Sequence, residues 1–168
     1  MALSPKTDEN GFLIFDPGSA DDGATEGERR AYRSGCASLS WSDSTERLLR
    51  QKLRARGYSE KETLYALSRL KKERLLDDRA YAERRFAYLV YEKKYGERRV
   101  KSELFAKGVG SEIISALPFD EADFSENCRF HLSLLGELTP KNKNRLLRLG
   151  FSYSEINEAE EELSEKES

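Results

Sequence analysis

Leu53-Arg54-Ala55-Arg56-Gly57-Tyr58-Ser59, Leu104-Phe105-Ala106-Lys107-Gly108-Val109 and Leu146-Leu147-Arg148-Leu149-Gly150-Phe151-Ser152 are three copies of one phrase. Each is a leucine, three residues, a glycine and an apolar side chain. Past the glycine come an acidic and an aliphatic residue: Glu62 and Leu64, Glu112 and Ile113, Glu155 and Ile156, the first copy running slightly longer. A helix that ends on a left-handed glycine, folds an apolar residue back and opens a newly capped helix has this pattern. The glycines lie 51 and then 42 residues apart, the spacing of a helical repeat. The chain therefore reads as three copies of a small helical unit. Gly57, Gly108 and Gly150 are its structural turns, and function is expected on the surface the copies share.

Composition agrees with an array. Of 168 residues, 38% are hydrophobic and 36% charged, so the core is thin and the helices are well solvated, which suits an elongated molecule better than a sphere. No run approaches the ~20 apolar residues of a membrane helix. The first ten residues lack the basic and apolar halves of a secretory signal. Cys36 and Cys128 alone do not make a disulfide framework. A cytoplasmic protein with no membrane partner is expected.

The net charge of −2 hides an asymmetry: residues 1–44 carry −4, residues 45–108 carry +9 and residues 109–168 carry −7. The central block suits an anionic partner. The plainer alternative is a set of solvated helix faces.

Along the chain, residues 1–42 read as a flexible N-terminal extension, broken by glycines, with one short strand at Phe12-Leu13-Ile14-Phe15 and a turn at Asp16-Pro17-Gly18. Residues 43–95 read as the first three-helix repeat. Asp43 with Glu46 caps its first helix, and Ser59 with Glu62 caps its second. Its third helix starts at Asp77-Asp78 and stops at Gly96. Residues 96–136 form the second repeat, with Asp120 capping its last helix. Residues 137–168 form the third, opened by Thr139 and Pro140 and dissolving into an acidic tail. Ser152 or Ser154 caps its final helix.

No catalytic motif is present: no phosphate-binding glycine loop, no His-Glu-x-x-His and no Gly-x-Ser-x-Gly. Cys128-x-x-His131 supplies two metal ligands where a structural zinc needs four, so no metal and no cofactor are expected. Asp77 and Asp78 at a helix start are caps rather than an acid–base pair. In the third helix of the first repeat, Ala82, Phe86 and Leu89 share a buried face. Tyr81, Tyr88, Tyr91 and Tyr95 cluster on another, interleaved with Arg84. Tyrosine with arginine can stack on bases and hold phosphate, but a wide apolar stripe explains these rings better. The densest basic cluster is Arg98, Arg99, Lys101 and Lys107, after Lys93-Lys94. Cations in a helix's first turns oppose its dipole, which suggests an external anion.

Taken in order, several phrases resemble the RecX family, regulatory proteins of the RecA recombinase. They are Arg56-Gly57-Tyr58-Ser59, Leu75-Leu76-Asp77-Asp78-Arg79-Ala80-Tyr81-Ala82, Tyr95-Gly96-Glu97-Arg98-Arg99-Val100, Leu104-x-x-Lys107-Gly108-Val109 and Gly150-Phe151-Ser152-Tyr153-Ser154-Glu155-Ile156. The resemblance spans residues 44–163. It implies an all-α fold of three tandem three-helix repeats forming an elongated curved rod. The rod would lie along a RecA–single-stranded DNA filament and inhibit its ATPase and strand exchange in DNA repair and the SOS response, with no catalytic residues of its own. The implied partners are RecA and its filament, with weak direct DNA contact besides, and the implied state is a monomer.

On this reading Arg98, Arg99, Lys101 and Lys107 meet filament or phosphate, joined by Arg54, Arg56 and Arg84. Gly57, Asp77, Asp78, Gly96, Gly108 and Gly150 set turns and caps. Two rivals remain. One is a plain helical DNA-binding domain, disfavoured by the −7 around the third copy. The other is a protein–protein scaffold without nucleic acid, which salt-independent binding would favour.

Overall fold

The structure, a computed structural model, describes residues 6–7, 13–14 and 23–167, with side chains described over 23–165. It divides into two compact units, Met1–Asp78 and Arg79–Ser168.

In the first unit three helices share one core: α1 (Glu26–Trp41), α2 (Glu46–Ala55) and α3 (Glu60–Lys72). Ala31 and Tyr32 of α1 pack with Leu49 and Leu53 of α2, with Ala66, Leu67 and Leu70 of α3, and with Leu76. The extension expected over 1–42 is corrected here, because 26–41 is a regular helix. Thr25 and Glu28 form a capping box at its start. Gly35 lets two helices approach. A Cβ there would stand 2.7 Å from Leu70 Cδ1. The short strand also finds a partner: backbone Lys6–Thr7 (β1) pairs antiparallel with Leu13–Ile14 (β2). The turn expected at Asp16-Pro17-Gly18 lies outside the described residues.

Ser59 and Glu62 form the expected capping box on α3. At α2 the cap is Thr45, whose hydroxyl accepts from Leu48 N–H, rather than Asp43, which accepts from Ser44 N–H at 3.1 Å. Asp78 acts at a distance. Its Oδ1 accepts the Glu46 N–H at 2.8 Å, satisfying a donor that the first turn of α2 leaves open. Burial pushes its pKa up.

The second unit holds two further three-helix bundles. α4 (Asp78–Ala87) continues into a π turn (Tyr88–Glu92), followed by α5 (Glu97–Ala106) and α6 (Ser111–Ser115). Phe86, Leu89, Val90, Val100, Leu104, Val109 and Ile114 are their common core. After a 3-10 turn at Phe119–Glu121 come α7 (Phe124–Leu135), α8 (Pro140–Arg148) and α9 (Tyr153–Glu167). These bury Cys128, Leu132, Leu146, Phe151, Ile156 and Ala159.

The fold is thus all-α in tandem three-helix domains, as expected, but the phase differs by one helix. Helix 78–92 opens the second bundle instead of closing the first, because its apolar face packs on α5 and α6. Likewise 124–135 opens the third. The repeated Leu-x-x-x-Gly phrase therefore always joins the second helix of a bundle to the third. Gly57, Gly108 and Gly150 have φ of +89°, +88° and +99°. Asp123, not Asp120, caps α7, accepting from Glu126 N–H at 2.7 Å. Ser152 and Glu155 cap α9, which stays helical through the acidic tail instead of dissolving.

Candidate anion-binding surface

Most of the cations selected from the sequence are engaged inside the protein. In the first unit Arg54 Nη1 donates to the Tyr58 carbonyl at 3.0 Å, with Nε 3.6 Å from Glu60. Arg56 Nη1 donates to Ser34, at 2.7 Å to Oγ and 3.1 Å to the carbonyl. The first braces the α2–α3 turn and the second ties that turn to α1. Both guanidiniums remain exposed.

In the second unit the tyrosine face divides. Tyr81 is buried and Tyr95 packs against the core, as the apolar reading expects. Tyr88 and Tyr91 are 40% and 56% exposed. The π turn accounts for the split, since its extra residue rotates the helix and moves the ring positions off a regular 100° stripe. Lys93 Nζ lies 5.4 Å from the Tyr88 ring centroid, and the Tyr88 hydroxyl raises its pKa. Arg84 is exposed on the same helix.

α7 meets backbone carbonyls in the π turn and just past it. Asn127, itself buried, donates to Val90 O at 3.0 Å and more weakly towards Tyr95 O at 3.5 Å. His131 Nε2 is 3.1 Å from Lys94 O, so it carries the proton in this bond. Cys128 is fully buried, and burial lifts its thiol to about 11. Cys128 therefore belongs to the core, and the half-buried His131 sets its ring 6.0 Å from Phe151 at the core's edge. Among the described residues no three metal-type side chains converge.

The cluster at 98–107 is the main revision. Arg99 opposes the dipole of α5, but its partner is internal. Nη1 donates to Arg148 O at 3.1 Å, at the negative end of α8, and Nη2 meets Glu103 at 3.0 Å, over the Tyr95 ring. Lys101 pairs with Glu97 and lies 4.7 Å from the Phe119 centroid. Lys107 is the C-cap residue of α5 and half-buried. Arg98 alone of the four is exposed without a partner among the described residues. Gly96 N-caps α5 with φ −72° and has no room for a side chain.

Sequence reasoning missed α8. Lys141, Arg145 and Arg148 stand on its exposed face, and the helix contains no acidic residue. Summing charge over 109–168 concealed it, because the acids sit on the neighbouring helices. Reading charge helix by helix finds it.

These side chains offer cations and rings. Comparison with known proteins agrees with the sequence resemblance. Residues 77–117 match the family model described as RecX, second three-helix domain. The crystal structure of RecX from Lactobacillus salivarius superposes with a TM-score of 0.70 at 22% identity, covering 82% of this chain and 97% of that one. A crystal structure of regulatory protein RecX gives 0.67 at 20% identity, covering 80% and 72%. No curated protein matches. The matched residues, 77–117, are those of the α4–α6 bundle, so this bundle is similar to the second three-helix domain of RecX.

Proposed function

We propose that this chain, with its RecX three-helix domain at 77–117, is a non-enzymatic regulator of a RecA recombinase. On this reading it binds RecA and the RecA–single-stranded DNA filament, and it lowers ATP hydrolysis and strand exchange during DNA repair and the SOS response. The family match carries the reading. Two solved RecX structures sharing the fold over about four fifths of the chain support it. No described helix is long and apolar enough to cross a membrane, and we place the protein in the cytoplasm, acting as a monomer.

The surface supports a filament partner in a specific way. Arg98 faces solvent, while Arg99 is spent on the joint between the second and third bundles. Binding then rests on unpartnered cations such as Arg98, with Arg54, Arg56, Arg84, Lys101 and Lys107 as secondary contacts. Co-sedimentation with RecA filaments across a salt series tests this. Wild type is expected to pellet with filaments and to release as salt rises, because contacts to phosphate or carboxylate are screened. A protein that stays in the supernatant at low salt contradicts the reading.

A further inference from the structure

α1 ends on Trp41, the only tryptophan of the chain. Its side chain is 85% exposed, and among the described residues no ring or cation rests on it. In the first unit the other large apolar side chain described as exposed is Leu64, at 43%. Tryptophan is highly buried in most folds, so an indole left almost wholly in water needs a partner surface.

Trp41 shares one stripe of α1 with Glu26, Arg30, Arg33 and Ala37, all exposed and recurring every three or four residues. The stripe is charged towards its start, where Arg33 pairs with Glu26 at 2.9 Å, and apolar at its end.

The chain ahead of α1 is complementary to this stripe. Residues 1–22 hold five acidic side chains (Asp8, Glu9, Asp16, Asp21 and Asp22) and one lysine, a net −4. Residues 23–78 hold thirteen basic and nine acidic side chains, a net +4. The order matches as well. Asp21-Asp22 adjoin the start of α1, on the side of Arg30 and Arg33, and the apolar run Phe12-Leu13-Ile14-Phe15 lies further back.

The lengths agree. Trp41 stands about 24 Å along the helix from Thr25, at 1.5 Å per residue. Eleven residues lead from Thr25 back to Ile14, a reach of about 36 Å when extended. The run also needs a surface. Backbone Leu13–Ile14 is paired with Lys6–Thr7, and a two-stranded ribbon is marginal in water until it packs on something. Because strand positions alternate in face, a strand through 12–15 has two apolar residues on either side.

We propose that the apolar run 12–15 docks on Trp41, with the acidic residues between it and α1 lying towards Arg30 and Arg33. The partner of the exposed indole is thus the chain's own N-terminal segment. Burial of apolar surface on both sides drives the contact, and the opposite charges set its direction along the helix. A tether this short holds the run at an effective concentration on the order of millimolar, which a separate molecule does not match. The contact goes beyond the regulatory reading and does not depend on it.

The test uses the full chain and its intrinsic fluorescence, since tryptophan excitation reports position 41 alone. Emission maximum and acrylamide quenching are measured for wild type and for L13S/I14S over a range of protein concentrations. Wild type is expected to emit at shorter wavelength than N-acetyltryptophanamide and to resist quenching, equally at every concentration. L13S/I14S is expected to shift towards the amide on both measures, with its helical circular dichroism and melting unchanged. If that variant melts early, F12S/F15S decides by the same criteria. An indole no better protected in wild type than in the variant overturns the proposal. Protection that fades on dilution also overturns it, and assigns the surface to a second copy of the chain.

Discussion

Gly96 and Gly150 meet backbone against backbone. The Gly96 N–H donates to the Leu149 carbonyl at 2.9 Å, and a Cβ on Gly96 would stand 2.5 Å from the Gly150 carbonyl carbon. A Cβ on Gly150 would in turn stand 2.5 Å from Arg99 N and Cβ. The turn of the third bundle is thereby seated on the first turn of α5, and Arg99 closes the joint from the side. Gly150 thus has a role that Gly57 lacks.

Gly57 and Gly150 separate the two roles. Both have positive φ, but a Cβ on Gly57 meets nothing within 4 Å. Gly57→Ala is expected to cost the left-handed penalty of about 1–2 kcal/mol. Gly150→Ala adds an overpacking cost of about 1–3 kcal/mol. Urea melts of the two variants check this. Equal midpoints would mean that the backbone contact at Gly96 carries no constraint.

Arg98 and Arg99, adjacent in sequence, are expected to diverge. Arg99→Glu loses a charged hydrogen bond to Arg148 O and places a carboxylate beside Glu103, a loss of about 1–3 kcal/mol. Arg98→Glu touches nothing and stays within about 0.5 kcal/mol of wild type. Thermal melts decide between them.

Asn127→Leu removes the donor that serves Val90 O beneath the π turn. A buried carbonyl left unpaired costs about 1–3 kcal/mol, so the variant is expected to unfold earlier. Hydrogen exchange should quicken first over 88–95. A variant as stable as wild type would show that water or a relaxed turn replaces the side chain.

The capping carboxylate of Glu62 predicts an acid limb. Hydrogen bonds from Ser59, backbone first, hold its pKa below the usual 4.5. Its contribution is then complete above about pH 4.5 and is lost as pH falls through the lowered folded value. Glu62→Gln should flatten the melting curve against pH in that window. An unchanged acid limb would remove Glu62 as a contributor.

Much of this architecture was legible because glycine caps and capping boxes are local. Leu53 to Gly57, Ser59 with Glu62, and Thr139 with Pro140 each declare a helix end within a few residues. The grouping of helices into bundles is set by packing, which spacing does not encode. Phe86 and Leu89 look alike whichever neighbour they face. α1 was overlooked because, Tyr32 apart, its buried stripe is built from Ala31, Gly35 and Ser38, small side chains that barely raise an apolar signal. The candidate surface was the least legible part. Arg99 and Lys101 are cations by type, but their partners lie across a turn or a helix. The α8 stripe was averaged away by the acids of α9.

The central claim is that this chain regulates a RecA recombinase, and ATP hydrolysis by RecA on single-stranded DNA measures it most directly. Substoichiometric protein is expected to slow hydrolysis, Arg98→Glu to do so less effectively at equal fold stability, and the protein alone to hydrolyse nothing. An ATPase rate unchanged with the protein in excess over RecA would contradict the account.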